Sequence, residues 1–506
     1  MSVGKVWLVG AGPSDVGLFT LKGKKVLEQA EVVVYDALVG HGVLSMIPKG
    51  VKLIDVGKRA GNHTLPQWRI NEVLLEEAQA GKRVVRLKGG DPFMFGRGGE
   101  ELELLSANNI PYEVVPGVTS PLSVPAYNGI PVTHRDYCSS LHIITGHKKK
   151  GETYDTDFEA LVRTKGTLVF MMGVSALEDI CNGLIRGGMD KDMPAAILQK
   201  GTSARQKRIV ATVSTLKAEV DRQGIETPAI IVVGKVCALA DEFYWYEKLP
   251  LYGCRVLVTR PRELASKMSD ALREKGAEVV ELPAIRTEPI MESAEINKAL
   301  ANLDSYQWIG FTSQIGVRVF FDILKERKMD IRSLAGCKFA VIGAATKKAL
   351  EERGLFADFI PSVYDGETLG RELAPICNSG DKILLPRAKM GGKEIVEELK
   401  QIPDVQIDDV PIYDTLYEKS EVIDEAAQFA NGNIDYAVFT SASTVHGFAK
   451  AVAGMDFTTV EAICIGRQTA DAAASYGMKT HVADKARIEH VIDKTVEVFN
   501  KKKEGK

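Results

Sequence analysis

Short runs of β-branched and aliphatic residues alternate along the chain with longer stretches rich in Ala, Leu, Glu and Lys. Residues 6–9 and 32–35 are apolar without interruption, and residues 84–87, VVRL, are β-branched and aliphatic apart from one arginine, which is typical of short strands. Residues 143–145 and 168–171 continue the same rhythm. The stretches between these runs have the length and composition of helices. The alternation predicts α/β layers built on parallel sheets.

This rhythm is broken at residues 241–253, DEFYWYEKLPLYG, and a new strand begins at Arg255. A length of 506 residues implies three or four folded units of roughly 100 to 200 residues each. The pattern predicts a main boundary near Leu249, with a first half at residues 1–245. A linker at 246–253 then leads to a second half at 254–500.

The second half contains an internal repeat. Residues 308–317, WIGFTSQIGV, are similar to residues 436–445, YAVFTSASTV; FAVIGAATKKAL at 339–350 and AICIGRQTADAA at 462–473 follow them. Self-similarity of this kind predicts two related α/β lobes. The hydroxyl-bearing turns at the helix starts could bind anions, because helix N-termini expose unpaired N–H groups. Alternatively, the hydroxyl residues of these turns only cap helices. They are Thr312, Ser313, Thr440 and Ser441.

Composition and charge narrow the function classes. The net charge of −3 provides no general field for nucleic acid, so an anionic substrate must be bound by local basic residues. No apolar run approaches the roughly 18 residues of a membrane span. The seven cysteines lack a CxxC pair, which predicts reduced thiols and no metal site. We therefore expect a cytoplasmic, soluble protein without nucleic-acid or membrane partners.

The first glycine-rich turn, VGAGPSD, follows the first predicted strand. Gly10 and Gly12, with Asp36 after the next strand, resemble a dinucleotide-binding fingerprint. The third glycine of that fingerprint is missing. A nicotinamide-dependent oxidoreductase is therefore kept as an alternative.

Two further turns follow predicted strands. Residues 84–101 read VVRLKGGDPFMFGRGGEE, and residues 114–135 read VVPGVTSPLSVPAYNGIPVTHR. Glycines allow a backbone to approach a ligand closely, and Asp91 could accept a hydrogen bond from an ammonium or hydroxyl group. No Walker lysine and serine follow, which argues against a phosphate-binding P-loop. Three such turns predict one crevice at the carboxyl ends of the strands.

These stretches, together with VGKRAGNHTLPQWRIN at 56–71, TLVFMMG and QKGTSARQ, resemble the tetrapyrrole methylases over residues 1 to about 245, most closely the uroporphyrinogen-III methyltransferases. The resemblance implies a two-lobed fold, with lobes of about 1–133 and 134–245 and S-adenosylmethionine bound between them. It also implies Asp36 as proton acceptor and Lys58 as proton donor. Ser14 departs from the glycine usual in the family, which puts the local loop geometry in doubt. The implied cofactor contacts are Pro13, Gly89, Gly90, Asp91, Met94, Thr119, Ser120, Met172 and Gly201.

The chemistry of such an enzyme agrees with these residue types. A pyrrole carbon attacks a sulfonium methyl directly, so the protein must align the two and accept a proton. A substrate with eight carboxylates requires cations, and arginine suits them through bidentate pairing. Surface salt bridges are the alternative role for each cation. Besides Lys58, the basic candidates are Arg59, His63, Arg97, His134 and Arg135.

Residues 252 to about 500 resemble the uroporphyrinogen-III synthases through VLVTRP, FTSQIGV, AVIGAATKKAL, LLPRA, PIYDT, FTSASTV and IGRQTADA. The implied fold has two parallel-sheet α/β lobes joined by a β-ladder near Glu288 and Thr415. The first lobe is expected at 254–287 plus 416–500 and the second at 288–415. Tyr413 matches a tyrosine proposed to assist loss of the substrate hydroxyl, or else it only packs in the ladder. Candidate carboxylate-binding residues are Ser313, Thr440, Ser441 and Thr469.

The two resemblances together predict a bifunctional enzyme that closes hydroxymethylbilane to uroporphyrinogen III and then methylates it twice to precorrin-2. Precorrin-2 leads to both sirohaem and cobalamin, so the downstream branch stays open. A corrinoid methyltransferase is the nearest neighbour within the methylases. A non-catalytic tetrapyrrole-binding second half is a further alternative. Methylases of this family are typically homodimers, so we expect dimerisation through the first half.

Overall fold

A computed structural model describes residues 3–57, 65–146, 156–259, 262–282, 285–417 and 424–505. Strands alternate with helices throughout these residues. In chain order the strands are β1 Lys5–Gly10, β2 Val32–Tyr35, β3 Lys52–Asp55, β4 Arg83–Lys88, β5 Tyr112–Val115, β6 Leu141–Thr145, β7 Thr167–Met171, β8 Pro194–Gln199, β9 Lys207–Thr212, β10 Ala229–Val233, β11 Arg255–Val258, β12 Glu278–Glu281, β13 Ile285–Pro289, β14 Trp308–Phe311, β15 Lys338–Val341, β16 Lys382–Ala388, β17 Gln406–Tyr417, β18 Tyr436–Phe439, β19 Glu461–Cys464 and β20 Lys479–Val482. The α-helices are α1 Leu21–Leu27, α2 His41–Leu44, α3 Gln67–Gln79, α4 Gly98–Ala107, α5 Ser120–Tyr127, α6 Phe158–Arg163, α7 Leu177–Arg186, α8 Leu216–Gln223, α9 Ala240–Phe243, α10 Arg262–Glu274, α11 Ala294–Ala301, α12 Gln314–Glu326, α13 Ala344–Glu351, α14 Gly366–Leu373, α15 Glu394–Leu399, α16 Glu425–Ala430, α17 Ala442–Ala451, α18 Arg467–Ser475 and α19 Ile488–Glu504.

These strands form four five-stranded sheets, in the orders β3-β2-β4-β1-β5, β6-β7-β10-β8-β9, β12-β11-β18-β19-β20 and β13-β17-β16-β14-β15. The pairings of the first and third sheets are parallel, as predicted. The second sheet is mixed, because β10 pairs antiparallel with β7 and β8, and β8 pairs antiparallel with β9. The connection at residues 200–206 is too short for the crossover that a parallel pair requires.

The first sheet is covered on both faces, which explains the uninterrupted apolar runs of β1 and β2. Val6 and Val32 belong to the core on one face, and Val9 and Val33 belong to the core on the other. Alternate side chains of a strand point to opposite faces, so a strand between two helical layers needs apolar residues throughout. The α/β fold class predicted from this pattern is confirmed.

A two-stranded antiparallel ladder lies where the sequence predicts it. β13 pairs with the end of β17, with Thr287 opposite Thr415 and Glu288 opposite Asp414. The other pairings of the fourth sheet are parallel.

The internal repeat is visible as two similar chain segments. β14, α12, β15 and α13 form one segment, and β18, α17, β19 and α18 form the other. In each segment a serine directly before the first helix caps it: Ser313 accepts from the Gly316 N–H, and Ser441 from the Thr444 N–H. The predicted order of strand, hydroxyl turn, helix, strand and helix is confirmed.

The chain divides into two compact units, residues 1–282 with 420–506 and residues 283–419. The first unit contains the first three sheets, and the second contains the fourth. Among the described residues, no helix is long and apolar enough to cross a membrane.

Candidate active sites

The turns after β1, β4 and β5 meet at one edge of the first sheet. Gly12 and Gly90 exchange backbone hydrogen bonds of 3.1 and 2.8 Å. A β-carbon on Gly10 would lie 2.5 Å from the backbone of Gly117, and one on Gly117 would lie 2.2 Å from the Gly90 carbonyl oxygen. Side chains at these positions would force the turns apart. The predicted crevice at the strand ends is therefore built from glycine backbones in direct contact.

The carboxylate of Asp91 ties two of these turns together. One oxygen accepts from the Phe93 and Met94 N–H groups at 2.8 and 3.2 Å, and the other accepts from the Gly117 N–H at 3.0 Å. A carboxylate offers about four acceptor positions, so three are used within the protein. Asp91 thus shapes the crevice, and a ligand would have about one position left to bind.

Ser14 adopts the backbone conformation of the glycine that it replaces. Its φ is 131°, in the region that side-chain-bearing residues rarely occupy. The neighbouring backbone leaves little freedom, because a β-carbon on Gly40 would lie 2.7 Å from the Ser14 carbonyl oxygen. The turn that contains Pro13 therefore keeps a glycine-like shape, at the cost of local strain.

A buried group of charges lies beneath Asp36, the predicted proton acceptor. The Asp36 carboxylate accepts from the Leu38 and Gly89 N–H groups at 3.1 and 3.4 Å and lies 3.3 Å from the Arg86 guanidinium. Arg86 also donates to Glu101 at 3.1 Å, and Lys88 donates to the same oxygen at 2.7 Å. The bond from Gly89 places Asp36 directly against the turn after β4.

Arg86, Lys88 and Glu101 were not among the predicted site residues. Their side chains are 4%, 5% and 0% exposed, so the ionic contacts are shielded from water. Burial lowers the pKa of Lys88, and the Arg86 charge adds to this shift, while Glu101 opposes it. The signal in the sequence is Arg86 and Lys88 near the end of the strand RVVRLK, after its two valines, since buried charges require partners.

The loop that carries Gly201 reaches the first turn. Gly201 is buried, and a β-carbon on it would lie 2.3 Å from Val124 in α5. The next residue, Thr202, donates its hydroxyl to the Pro13 carbonyl oxygen at 3.1 Å. Two of the predicted cofactor contacts, Pro13 and Gly201, are thereby brought together from different lobes.

The remaining predicted cofactor contacts lie at strand and helix ends. Thr119 directly precedes α5 without capping it through its side chain, and Ser120 begins that helix. Met172 follows β7 with a φ of 54° and is 45% exposed. Met94 is half-buried in the turn after β4.

Half of the basic candidates can be placed, and the other half cannot. Lys58, Arg59 and His63 lie outside the described residues. Arg97 donates to the Glu100 carboxylate at 2.8 Å, which raises the pKa of the guanidinium. His134 accepts at Nδ1 from the Asp136 N–H at 3.1 Å, and Arg135 is exposed.

Tyr413 and Ser313 form a hydroxyl pair in the second unit, 2.8 Å apart. Ser313 also accepts from the Gly316 N–H at 2.9 Å, which caps α12. Tyr413 is 6% exposed, and its burial raises the pKa of the phenol, against the effect of the Ser313 hydrogen bond. The tyrosine is thus packed in the ladder and hydrogen-bonded to the first turn of the repeat.

The corresponding turn of the first unit has a similar design. Ser441 accepts from the Thr444 N–H at 3.3 Å and lies 2.9 Å from the Ser443 hydroxyl. Thr440 is half-buried, and Thr469 is buried in the first turn of α18. Capping is therefore what Ser313 and Ser441 do in the structure, and carboxylate binding at these positions stays a prediction.

The sheet order argues against a nicotinamide site. In dinucleotide-binding folds the first two strands are neighbours, so an acidic residue after β2 reaches a ribose held at the β1 turn. Here β4 separates β1 from β2, and Asp36 is paired with Arg86 instead.

Two family models match separate parts of the chain. Residues 5–217 match the tetrapyrrole (corrin/porphyrin) methylases, and residues 266–493 match uroporphyrinogen-III synthase HemD. The porphyrin biosynthesis protein HemD of Ruminiclostridium josui is 46% identical over 498 residues, 98% of this chain and 99% of that protein. The chain belongs to the family of fusions that join a tetrapyrrole methylase to a HemD-type synthase.

Other relatives match part of the chain. The uroporphyrinogen-III C-methyltransferase of Bacillus subtilis strain 168 is 41% identical over 362 residues, 71% of this chain and 74% of that protein. The uroporphyrin-III C-methyltransferase of Thermus thermophilus, solved with S-adenosyl homocysteine, is 37% identical, with a TM-score of 0.40 over 47% of this chain and all (100%) of that one. S-adenosyl homocysteine is the demethylated form of the predicted cofactor.

The crevice of this chain fits such a cofactor. Around the position of a β-carbon on Gly90, no atom lies within 4 Å, so the turn faces open space. The backbone there can approach a bound molecule without steric hindrance. Backbone groups that border open space can form hydrogen bonds with the amino-acid and ribose groups of S-adenosylmethionine, so the Gly90 turn fits the predicted cofactor.

Proposed function

We propose that this chain catalyses two consecutive steps of tetrapyrrole synthesis. The second half closes hydroxymethylbilane to uroporphyrinogen III, and the first half methylates that product twice, with S-adenosylmethionine as cofactor, to give precorrin-2. The observation that carries the methylase assignment is the contact of Asp36 with Gly89. This contact supports the proposal because the Asp36 carboxylate lies beside the turn that is proposed to bind the cofactor, where a proton acceptor is needed.

In the first half, the bound cofactor supplies a methyl group on a sulfonium sulfur. A pyrrole carbon that took this methyl group would leave the demethylated cofactor behind and would become part of a cation that must lose a proton. Asp36 accepts this proton, and Arg86 keeps its carboxylate oriented toward the crevice. The three clamped turns hold the reactants in line, which is the main catalytic contribution of a rigid site.

In the second half, the protein must bind a flexible chain of four pyrroles and favour loss of its hydroxyl group. Tyr413 is protonated at neutral pH and can donate to the departing oxygen, with Ser313 orienting the phenol. The capped turns at Ser313, Thr440 and Ser441 hold substrate carboxylates. Positioning of the substrate therefore contributes more to the rate in this half than acid–base catalysis does.

The decisive experiment is anaerobic incubation of the pure full-length protein with hydroxymethylbilane and S-adenosylmethionine, followed by determination of product isomer and mass. We expect a type III macrocycle with two added methyl groups. Type III product without methyl groups would overturn the methylase assignment. Type I product alone, which forms spontaneously, would overturn the synthase assignment.

A mixture without cofactor is the matched control, and it should give unmethylated uroporphyrinogen III. Titration with NAD tests the oxidoreductase alternative, for which we expect no binding. A protein that binds uroporphyrinogen III but turns over neither substrate would favour a non-catalytic second half.

We further propose a homodimer formed through the first half and a location in the cytoplasm. Several large apolar side chains of this half are exposed in the single chain, among them Trp68 at 62% and Phe93 at 57%. Contiguous exposed apolar patches often mark association surfaces, and we propose that these side chains contribute to one. Size-exclusion chromatography with light scattering should give twice the chain mass, and a monomer at micromolar concentration would contradict the proposal.

A further inference from the structure

The connection between the two halves is packed against the methylase half. The rings of Trp245 and Tyr246 both lie 5.0 Å from that of Tyr127, and Tyr246 is buried. The Tyr252 ring lies 5.5 Å from Tyr246, and its hydroxyl donates to the Gln206 carbonyl oxygen at 2.8 Å. Buried aromatic contacts of this kind fix the geometry of a segment. The linker is therefore a structural element of the first unit.

Arg205 connects the methylase to the lobe built on the third sheet, hereafter the third-sheet lobe (residues 254–282 and 424–505). It lies in the loop 200–206 between β8 and β9. Its guanidinium donates to the carbonyl oxygens of Gly253 and Gly432 at 2.8 and 3.2 Å and to Asp435 at 3.3 Å. Asp435 also accepts from the Arg255 N–H at 2.8 Å. Charge-assisted bonds to several acceptors fix an arginine in one orientation.

Glu278 of β12 makes a second connection to the same loop. Its carboxylate accepts from the Ala204 N–H at 3.0 Å and forms an ion pair with Arg255 at 2.9 Å. The bond to Ala204 holds the loop backbone itself. Nearby, Gly42 of α2 faces β12, since a β-carbon on it would lie 3.9 Å from the Val279 carbonyl oxygen. The third-sheet lobe thus contacts both the 200–206 loop and the helix that follows Asp36.

The other end of this loop faces the predicted cofactor crevice. The Thr202 hydroxyl donates to the Pro13 carbonyl oxygen at 3.1 Å and accepts from the Asp15 N–H at 3.4 Å. Lys200 and Thr202 have φ values of 47° and 65°. Such conformations persist only where the surroundings hold them in place. Only Ser203 separates Thr202 from Ala204, so the crevice and the third-sheet lobe hold adjoining parts of one strained loop.

We propose that the third-sheet lobe of the synthase positions the cofactor loop of the methylase. Glu278 and Asp435 are positioning residues: they hold the 200–206 loop from behind, so that Gly201 and Thr202 face the Pro13 turn. Because coupling between two sites is reciprocal, binding in the crevice also stabilises the contact between loop and lobe. This inference rests on the proposed cofactor site of the first half.

The test compares the full-length protein with Glu278→Gln, Asp435→Asn and the double variant. We expect S-adenosyl homocysteine, titrated by calorimetry, to bind the double variant about 5- to 20-fold more weakly, within the usual range of coupling between sites. The methylation rate at saturating cofactor should change less than the KM for S-adenosylmethionine. The synthase rate should not change.

Glu281→Gln is the matched control. Glu281 lies on the same strand as Glu278, but it pairs with Arg273 of the same lobe at 3.0 Å. Among the described residues, its carboxylate forms no hydrogen bond or ion pair with loop 200–206, so its substitution should leave cofactor affinity unaltered. Equal affinities in the wild-type protein and in the Glu278, Asp435 and double variants would overturn the proposal. A wild-type protein that binds no S-adenosyl homocysteine would overturn the proposed function instead.

A second measurement uses only the wild-type protein and remains decisive if a variant fails to fold. Amide hydrogen exchange should slow in loop 200–206 and also in β12 and around Asp435 when S-adenosyl homocysteine is added. Protection confined to the methylase half would contradict the coupling.

Discussion

The two candidate sites use different groups at different places in their sheets: Asp36 follows a parallel strand, and Tyr413 lies within an antiparallel ladder. At the end of β2 in the methylase half, Asp36 is supported by a buried ionic group that includes Arg86 and Glu101. At the ladder of the synthase half, Tyr413 is supported by the neutral hydroxyl of Ser313. Proton transfer from a cationic intermediate needs a carboxylate of defined orientation, whereas folding a long substrate needs donors and caps. Similar α/β layers thus carry an ionic group at one candidate site and a neutral hydroxyl pair at the other, which suits two different kinds of proposed chemistry.

The largest expected effect comes from Asp36→Asn. The amide preserves shape and hydrogen-bonding size but cannot accept the proton, so the methylation rate should fall about 10²- to 10⁴-fold. The synthase rate should stay at the wild-type level, and both are read from one product analysis. Asp190→Asn, in an exposed turn where the carboxylate also accepts a backbone N–H, is the control. Methylation at an undiminished rate would remove Asp36 from the mechanism.

Glu101→Gln should have the largest effect on stability. It removes the negative charge that Arg86 and Lys88 share, and a buried cation without its partner costs about 3–5 kcal/mol. The midpoint temperature of thermal unfolding, followed by fluorescence, should fall markedly. Glu100→Gln, next in sequence and exposed beside Arg97, should change stability by no more than about 1 kcal/mol. Similar losses in both variants would mean that the buried group contributes nothing special.

Tyr413→Phe should reduce the synthase rate by about tenfold or less, because one hydrogen bond is lost while the positioning contacts remain. The methylation rate with added uroporphyrinogen III should not change. Since burial raises the pKa of the phenol above its ordinary value, the wild-type rate should not decline through its ionisation between pH 7 and 9. Only above its usual pKa of about 10 would ionisation destabilise the protein. A rate loss with an apparent pKa near 8 in wild type but not in the variant would contradict this description.

The smallest effect is expected for Ser14→Gly, which should stabilise the methylase half by about 1 kcal/mol. Glycine adopts the observed φ of 131° without the strain imposed by a β-carbon. Ser106→Gly, in the exposed part of α4, should instead destabilise by about 0.5 kcal/mol. Shifts of the same sign in the two variants would argue against strain at Ser14.

Much of this organisation could be predicted from the sequence, because local patterns determine it. Short apolar and β-branched runs predicted β1, β2 and β4 of the first sheet, and the repeated hydroxyl turns predicted the segments that begin with β14 and β18. The ladder near Glu288 and Thr415, which the resemblance to the synthases implied, is also present. The mixed second sheet was not, because strand direction depends on which strands become neighbours.

The site residues divide in the same way. Asp36, Asp91 and Tyr413 were predicted as site residues because they lie in recognisable motifs. Arg86, Lys88 and Glu101 lie in the same motif but acquire their importance from burial and mutual distance. Lys58, Arg59 and His63 lie outside the described residues, so their roles stay predictions.

The sequence by itself determined the alternation of elements, the repeat and the glycine turns, since these depend on periodicity and on backbone freedom at single residues. Only the tertiary structure decided that Asp91 clamps two turns. It also decided that a buried ionic group supports Asp36 and that the 200–206 loop is bonded to the third-sheet lobe. These features join residues far apart in the chain, and their energies depend on distance and exclusion of water, which no local pattern records.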